Sequence, residues 1–166
     1  MRILALDPAT NMGVADGLAG GVPKLSVVRL RLKPEDEAED LFGRAGEWLW
    51  RRIVLGKPDV LAIEQPIPPM KMKGVTSYQM TKISHGLYGA LIGIAKAAGA
   101  EVMPVHIATW RKCVLGHGRM PGADAKRAMM EQCRRLGWAA ETHDAAEAGG
   151  IFVYASGVVL DKARAA

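Results

Sequence analysis

Apolar residues come in short unbroken runs near both ends of the first two thirds of the chain and in helical spacing elsewhere. Arg2 to Leu6 reads as a buried strand, Pro8 to Met12 as a turn, and Gly13 to Asp16 as the start of a second strand paired back on the first. Lys24 to Leu32, with Val27, Val28, Leu30 and Leu32, supplies a third run and predicts an antiparallel meander. The acidic stretch Glu35 to Asp40 opens a predicted helix to about Leu55, because acids in a first turn complement the helix dipole. Pro58-Asp59 ends it. Val60 to Ile63 has no alternation, as expected of a central strand covered on both faces. Pro66, Pro68 and Pro69 forbid a continued ladder, so Gln65 to Gly74 is expected to be a loop.

Val75 to Ala98 is helical by pattern, Glu101 to Val105 is a last short strand, and Ile107 to Val114 is a short helix. After the basic, glycine-rich loop Leu115 to Gly122, Asp124 is a candidate cap for a helix running to Arg135, with Gly137 as its stop. Thr142 is placed to cap a final helix, His143 to about Ala163, which Gly149 and Gly150 should weaken. Asp16 and Asp59 read as turn residues. These elements predict an α/β fold: a mixed five-stranded sheet, three antiparallel meander strands plus two parallel ones, with helices on both faces. No repeat or linker divides the chain, so residues 1–166 are expected to form one domain.

The acids then change the picture. Asp7 ends the first apolar run, Glu64 ends another, and Asp144 and Glu147 open the last helix at positions i and i+3, sharing one helix face. If the first and fourth strands lie adjacent and parallel, Asp7 and Glu64 leave the sheet at the same carboxyl edge, where open α/β sheets place ligands. Carboxylates about 4 Å apart repel by roughly 4 kcal/mol at an effective dielectric near 20. Four converging acids therefore ask for cations. An all-oxygen set suits Mg²⁺, with Mn²⁺ as a substitute, and two such ions in one site would serve phosphodiester hydrolysis by water. His143 precedes Asp144 but points off its face.

Composition narrows the partner and the compartment. A net charge of +5 over 166 residues fits a polyanion without requiring one. The two cysteines, Cys113 and Cys133, lie outside any CxxC pattern and are expected to be free thiols in a reducing compartment. The N-terminus reaches Asp7 too early for a signal peptide, and the apolar stretch Leu87 to Ala98, broken by Lys96, is too short to span a bilayer. A cytoplasmic protein with no membrane partner is the expectation.

Three segments, Ile3-Leu-Ala-Leu-Asp7-Pro-x4-Gly13, Ala62-Ile-Glu64-Gln65 and His143-Asp144-Ala-Ala-Glu147-Ala148, resemble the RuvC-type Holliday junction resolvases of the ribonuclease H-like superfamily. The resemblance implies a homodimeric, Mg²⁺-dependent endonuclease that cuts four-way or branched DNA symmetrically, in a bacterial or phage-infected cell. Asp7, Glu64, Asp144 and Glu147 occupy the family's acidic positions, the last with Glu where Asp or His is usual. It also implies basic residues near the scissile phosphate, for which Arg111 or Lys112, and Lys126, lie at comparable places.

The family's aromatic wedge after the Glu-Gln pair is absent here, where the chain reads Pro66-Ile67-Pro68-Pro69-Met70-Lys71-Met72-Lys73. Ile67 or Met70 is the candidate apolar wedge. Broader action on branched DNA, as in a phage or mobile-element resolvase, fits that departure. Lys71, Lys73 and Lys82 near this loop, and Arg119 in the second basic loop, are candidate phosphate contacts that carry no sequence information. The alternatives are a ribonuclease H-like nuclease acting on RNA or RNA–DNA hybrids, and a non-catalytic nucleic-acid-binding module.

Overall fold

A computed structural model describes residues 1–68 and 78–165. The chain runs β1 (Arg2–Asp7), β2 (Asn11–Leu18), β3 (Lys24–Arg29), α1 (Ala38–Gly56), β4 (Val60–Glu64), α2 (Tyr78–Ala97), β5 (Glu101–Val105), α3 (Ile107–Leu115), α4 (Gly122–Arg135) and α5 (His143–Ala165). The strands form one sheet in the order β3-β2-β1-β4-β5. β1, β2 and β3 pair antiparallel, while β4 runs parallel to both β1 and β5. The mixed sheet expected from the sequence is the one observed.

Period-two alternation divides the core into two layers. Ile3, Ala5, Val60 and Ala62 face α3, α4 and α5, where they meet Trp110, Met129, Ala148 and Phe152. Leu4, Leu6, Leu61 and Ile63 face α1 and α2, packing with Leu41, Leu49, Leu87 and Leu91. Each fully buried Leu or Ile stabilises the fold by about 1.5–3 kcal/mol. The residues on the α5 side are smaller than their neighbours on the other face, and that side is where a helix can approach the sheet backbone.

Four local expectations are corrected, the last at α4. β3 stops at Arg29 instead of Leu32 because its partner β2 begins at Asn11, the residue opposite Arg29. α1 starts at Ala38 instead of Glu35. Asp36 accepts the backbone N–H groups of Leu32 and Lys33 at 2.8 and 2.9 Å and pairs with Arg44, so it folds the preceding loop back and does not open the helix. Asp16 is not a turn residue: it is buried in β2, where its carboxylate pairs with Arg2 at 2.9 Å and with Arg52 of α1.

At α4 the cap position is Pro121, and Asp124 lies inside the first turn, paired with Arg127. Thr142 does what its position suggested: its Oγ1 accepts the N–H of Ala145 at 3.2 Å and fixes the first turn of α5. Among the described residues no helix is long and apolar enough to cross a membrane. Met70, Lys71 and Lys73, expected to contact DNA, lie outside the described residues, as does most of the loop expected over 65–74.

Candidate active site

Asp7 and Glu64 are the residues that follow the parallel pair Leu6 and Ile63, so they leave neighbouring strands side by side. Both continue the odd-numbered series in β1 and the even-numbered series in β4 that face α5. A one-residue slip in either strand would turn its acid to the opposite layer. On the other side of Asp7 the register partner is Gly13. A Cβ at Gly13 would overlap the backbone carbonyl of Asp144, so glycine is what lets the start of α5 settle against the sheet at this point.

The result is convergence. One carboxylate oxygen from each of Asp7, Asp144 and Glu147 lies within 4.8 Å of the others. Like charges at that separation repel by about 3 kcal/mol per pair at an effective dielectric near 20. Oxygen ligands held 2.0–2.6 Å from a hard cation lie up to roughly 4–5 Å apart, so the three suit one divalent ion. Asp7 also shares with Glu64 a small cavity of about 100 Å³ lined by Pro8, Gln65, Pro66 and Ser84.

Two consecutive residues of α3 hold two of the acids. Trp110, fully buried, donates its indole N–H to Oε2 of Glu64 at 2.6 Å, and Arg111 donates to Oε1 of Glu147 at 2.7 Å in an ion pair buried on both sides. The sequence reading placed Arg111 near the scissile phosphate but foresaw neither of these bonds. The signal was present in Gly149-Gly150, which looked like helix weakening. A Cβ at Gly150 would stand 2.6 Å from the Trp110 ring, so this glycine makes room for the indole, whereas one at Gly149 would meet Trp138 at an ordinary contact of 3.6 Å.

The electrostatics match the geometry. Burial, then the charges of Glu64, Glu147 and Asp144, raise Asp7 well above the usual carboxylate range, with Lys126 opposing. Burial pushes Glu64 up to about 7, its hydrogen bond from Trp110 opposes this, Glu147 adds to it and Arg111 offsets it. An acid whose folded-state value is raised stabilises the fold most below its unfolded value and loses that contribution as pH climbs to the folded value.

For Glu64 the window runs from 4.5 to about 7, and at 1.36 kcal/mol per unit it is worth on the order of 3 kcal/mol. Asp36 behaves oppositely. Held below the carboxylate range by Arg44 and two backbone N–H groups, it contributes above that range and loses its contribution in acid. Without divalent ions the protein is therefore expected to melt at lower temperature at pH 8 than at pH 5.5. Mg²⁺ should raise the melting temperature more at pH 8, where the acids are ionised. Thermal melts in EDTA and in Mg²⁺ at both pH values check this; equal Mg²⁺ increments would contradict it.

The other candidates are distributed around this centre. Lys126 is exposed on α4 with its charge felt at Asp7. Lys112 and Arg119 are exposed and line one shallow depression with Ala108, Gly116, His117 and Gly118. Lys82 pairs with Glu39 at 2.6 Å, joining α2 to α1. Ile67 is 44% exposed beyond the end of β4.

Comparison with solved structures was decisive for the fold. RuvC from Thermus thermophilus superposes with a TM-score of 0.72, covering 97% of each chain at 20% identity. The fold is that of RuvC. T. thermophilus RuvC in complex with a Holliday junction substrate gives a TM-score of 0.71 over 96% of each chain at 18% identity. The yeast mitochondrial Holliday junction resolvase gives 0.61 at 13% identity, covering 92% of this chain and 76% of its own. No protein-family model matches the sequence, and neither does any curated protein. The RuvC fold here thus rests on backbone shape and register, with few identities to carry it.

Proposed function

We propose that this protein is a structure-selective endodeoxyribonuclease that hydrolyses phosphodiester bonds in Holliday junctions or related branched DNA. The observation that carries the proposal is the meeting of Asp7, Asp144 and Glu147 within 4.8 Å at the sheet edge of a chain with the RuvC fold. Asp7, Glu64, Asp144 and Glu147 would hold Mg²⁺, two ions per site, with Mn²⁺ as a substitute. The bound ions would supply charge stabilisation and an activated water. Four acids with no cation would instead repel a phosphate.

The chain's own groups then take definite roles. The buried Arg111 would act through Glu147, holding its carboxylate in place and offsetting its charge beside the other acids. Lys126, Lys112 and Arg119, all exposed on the side of α3 and α4, would hold neighbouring phosphates and fix the strand's position without reading its sequence. Lys71 and Lys73 would add further phosphate contacts, and Ile67 or Met70 would wedge the junction centre. Lys82 would have to leave Glu39 to join them.

A homodimer completes the reading, because symmetric cleavage of a four-way junction needs two sites. Gly89 and Gly93, one turn apart on the exposed side of α2 with nothing within 4 Å of their Cβ positions, would let a second copy's helix approach closely. The test sets labelled four-way, three-way, duplex and RNA–DNA hybrid substrates side by side with protein and Mg²⁺. Paired symmetric nicks in the four-way junction are expected to dominate. Preferential cutting of the hybrid would move the assignment to ribonuclease H-like chemistry, and cutting of none would make the protein a binding module.

A further inference from the structure

The hydrogen bond between Trp110 and Glu64 does more than fill the core. An indole N–H is a donor with no acceptor capacity, and a carboxylate is its strongest natural partner. At 2.6 Å the bond occupies one lone pair of Glu64 Oε2 and fixes the plane of the carboxylate, and it does so from a ring that is fully buried. That ring has little freedom to move. Gly150 offers it a seat on α5, where even a methyl group would stand 2.6 and 2.8 Å from two ring carbons, and Met129 of α4 belongs to the same packed cluster.

The consequence lies in how many oxygens each acid can offer. Asp7, Asp144 and Glu147 converge, whereas Glu64, tied to Trp110, is not within the same 4.8 Å group. Its other oxygen, Oε1, is the one left uncommitted by the indole. Small hard ions such as Mg²⁺ demand an octahedral shell of single oxygens, while the larger Ca²⁺ takes six to eight and readily accepts both oxygens of one carboxylate. An acid whose plane is fixed and whose second oxygen already carries a donor offers Oε1 most freely, which favours the former.

Building on the active-site assignment above, we propose that Trp110 is a positioning residue that makes Glu64 a one-oxygen ligand and thereby tilts this site toward Mg²⁺ over Ca²⁺. It touches no substrate and acts through Glu64 alone. Its neighbour in the chain, Arg111, fixes Glu147 in the same manner, so one turn of α3 sets two of the four acids before any ion arrives.

The experiment titrates metal-free protein with MgCl₂ and with CaCl₂ by calorimetry, comparing the parent with Trp110→Phe, which keeps most of the ring volume and removes the donor. Mg²⁺ affinity is expected to fall about ten- to a hundredfold, the range typical of groups that orient metal ligands, while Ca²⁺ affinity holds or rises. In a Glu64→Gln background the same Trp110→Phe change should alter the Mg²⁺ to Ca²⁺ ratio no further. An unchanged ratio in the single variant overturns the proposal.

A second measurement needs no variant. The Trp110 indole N–H resonance of the parent, followed by ¹H–¹⁵N NMR, should shift as Mg²⁺ saturates the site, whereas that of Trp50, 49% exposed on α1, should stay in place. An immobile Trp110 resonance at saturating Mg²⁺ overturns the proposal whether or not the variant folds. A parent that binds no Mg²⁺ removes the active-site assignment and this inference together. A parent that binds Mg²⁺ with the ratio unmoved by Trp110→Phe removes the inference alone.

Discussion

Asp7→Asn is expected to lower Mg²⁺-dependent cleavage of a four-way junction by at least about a thousandfold, since losing a central metal ligand forfeits several kcal/mol of charge stabilisation. Asp7 is the natural place to strike: Glu64, Glu147 and Asp144 all act on its ionisation, so every other acid of the site meets there. Asparagine keeps the shape and removes the charge. With that charge gone the remaining acids repel less, so the variant should bind the junction as well as the parent or better, and should be more stable than the parent in EDTA at pH 8. Single-turnover cleavage, gel-shift binding and a thermal melt report the three effects separately. Equal cleavage by variant and parent would reject the catalytic assignment.

Arg111→Met should produce the largest loss of stability. The Arg111–Glu147 pair is buried on both sides, at 11% and 8% side-chain exposure. Breaking a buried pair by removing one partner typically costs about 3–5 kcal/mol, because the other charge is left uncompensated. Here Glu147 would remain beside Asp7 and Asp144 with no cation to face. Urea unfolding in EDTA measures the loss. Mg²⁺ should recover part of it by taking over the role of the guanidinium, and adding Glu147→Gln should recover more. If Arg111→Met unfolds at the parent's urea midpoint, the ion pair contributes nothing and the prediction fails.

The reading of the sequence succeeded where a residue's own type and neighbours constrained it. Val60 to Ile63, apolar without alternation, is a covered strand, and Thr142 caps α5 because a hydroxyl at that position has an unpaired N–H within reach. The convergence of Asp7, Asp144 and Glu147 was legible for the same reason: carboxylates at the ends of apolar runs and on one face of a helix start have few structural uses. It went astray where a residue's role depends on a distant partner. Asp36 and Asp16 look like turn or first-turn acids until Arg44, Arg2 and Arg52 arrive from elsewhere in the chain. Nothing local in Trp110-Arg111 says that one will hold Glu64, 46 residues away, and the other Glu147, 36 residues away.

By itself the sequence determined the order of strands and helices, the mixed sheet, and which acids stand at the ends of apolar runs and at the start of the last helix, because alternation, capping and charge placement act over a few residues. Only the tertiary structure decided how they meet. The parallel register of β1 and β4 sets Asp7 beside Glu64, and the missing Cβ of Gly13 admits the first turn of α5. The bonds from α3 then hold two of the acids in place, Glu64 by Trp110 and Glu147 by Arg111, while Asp7, Asp144 and Glu147 converge. Those outcomes depend on distances between segments far apart in the chain, and such distances exist only once the layers have packed.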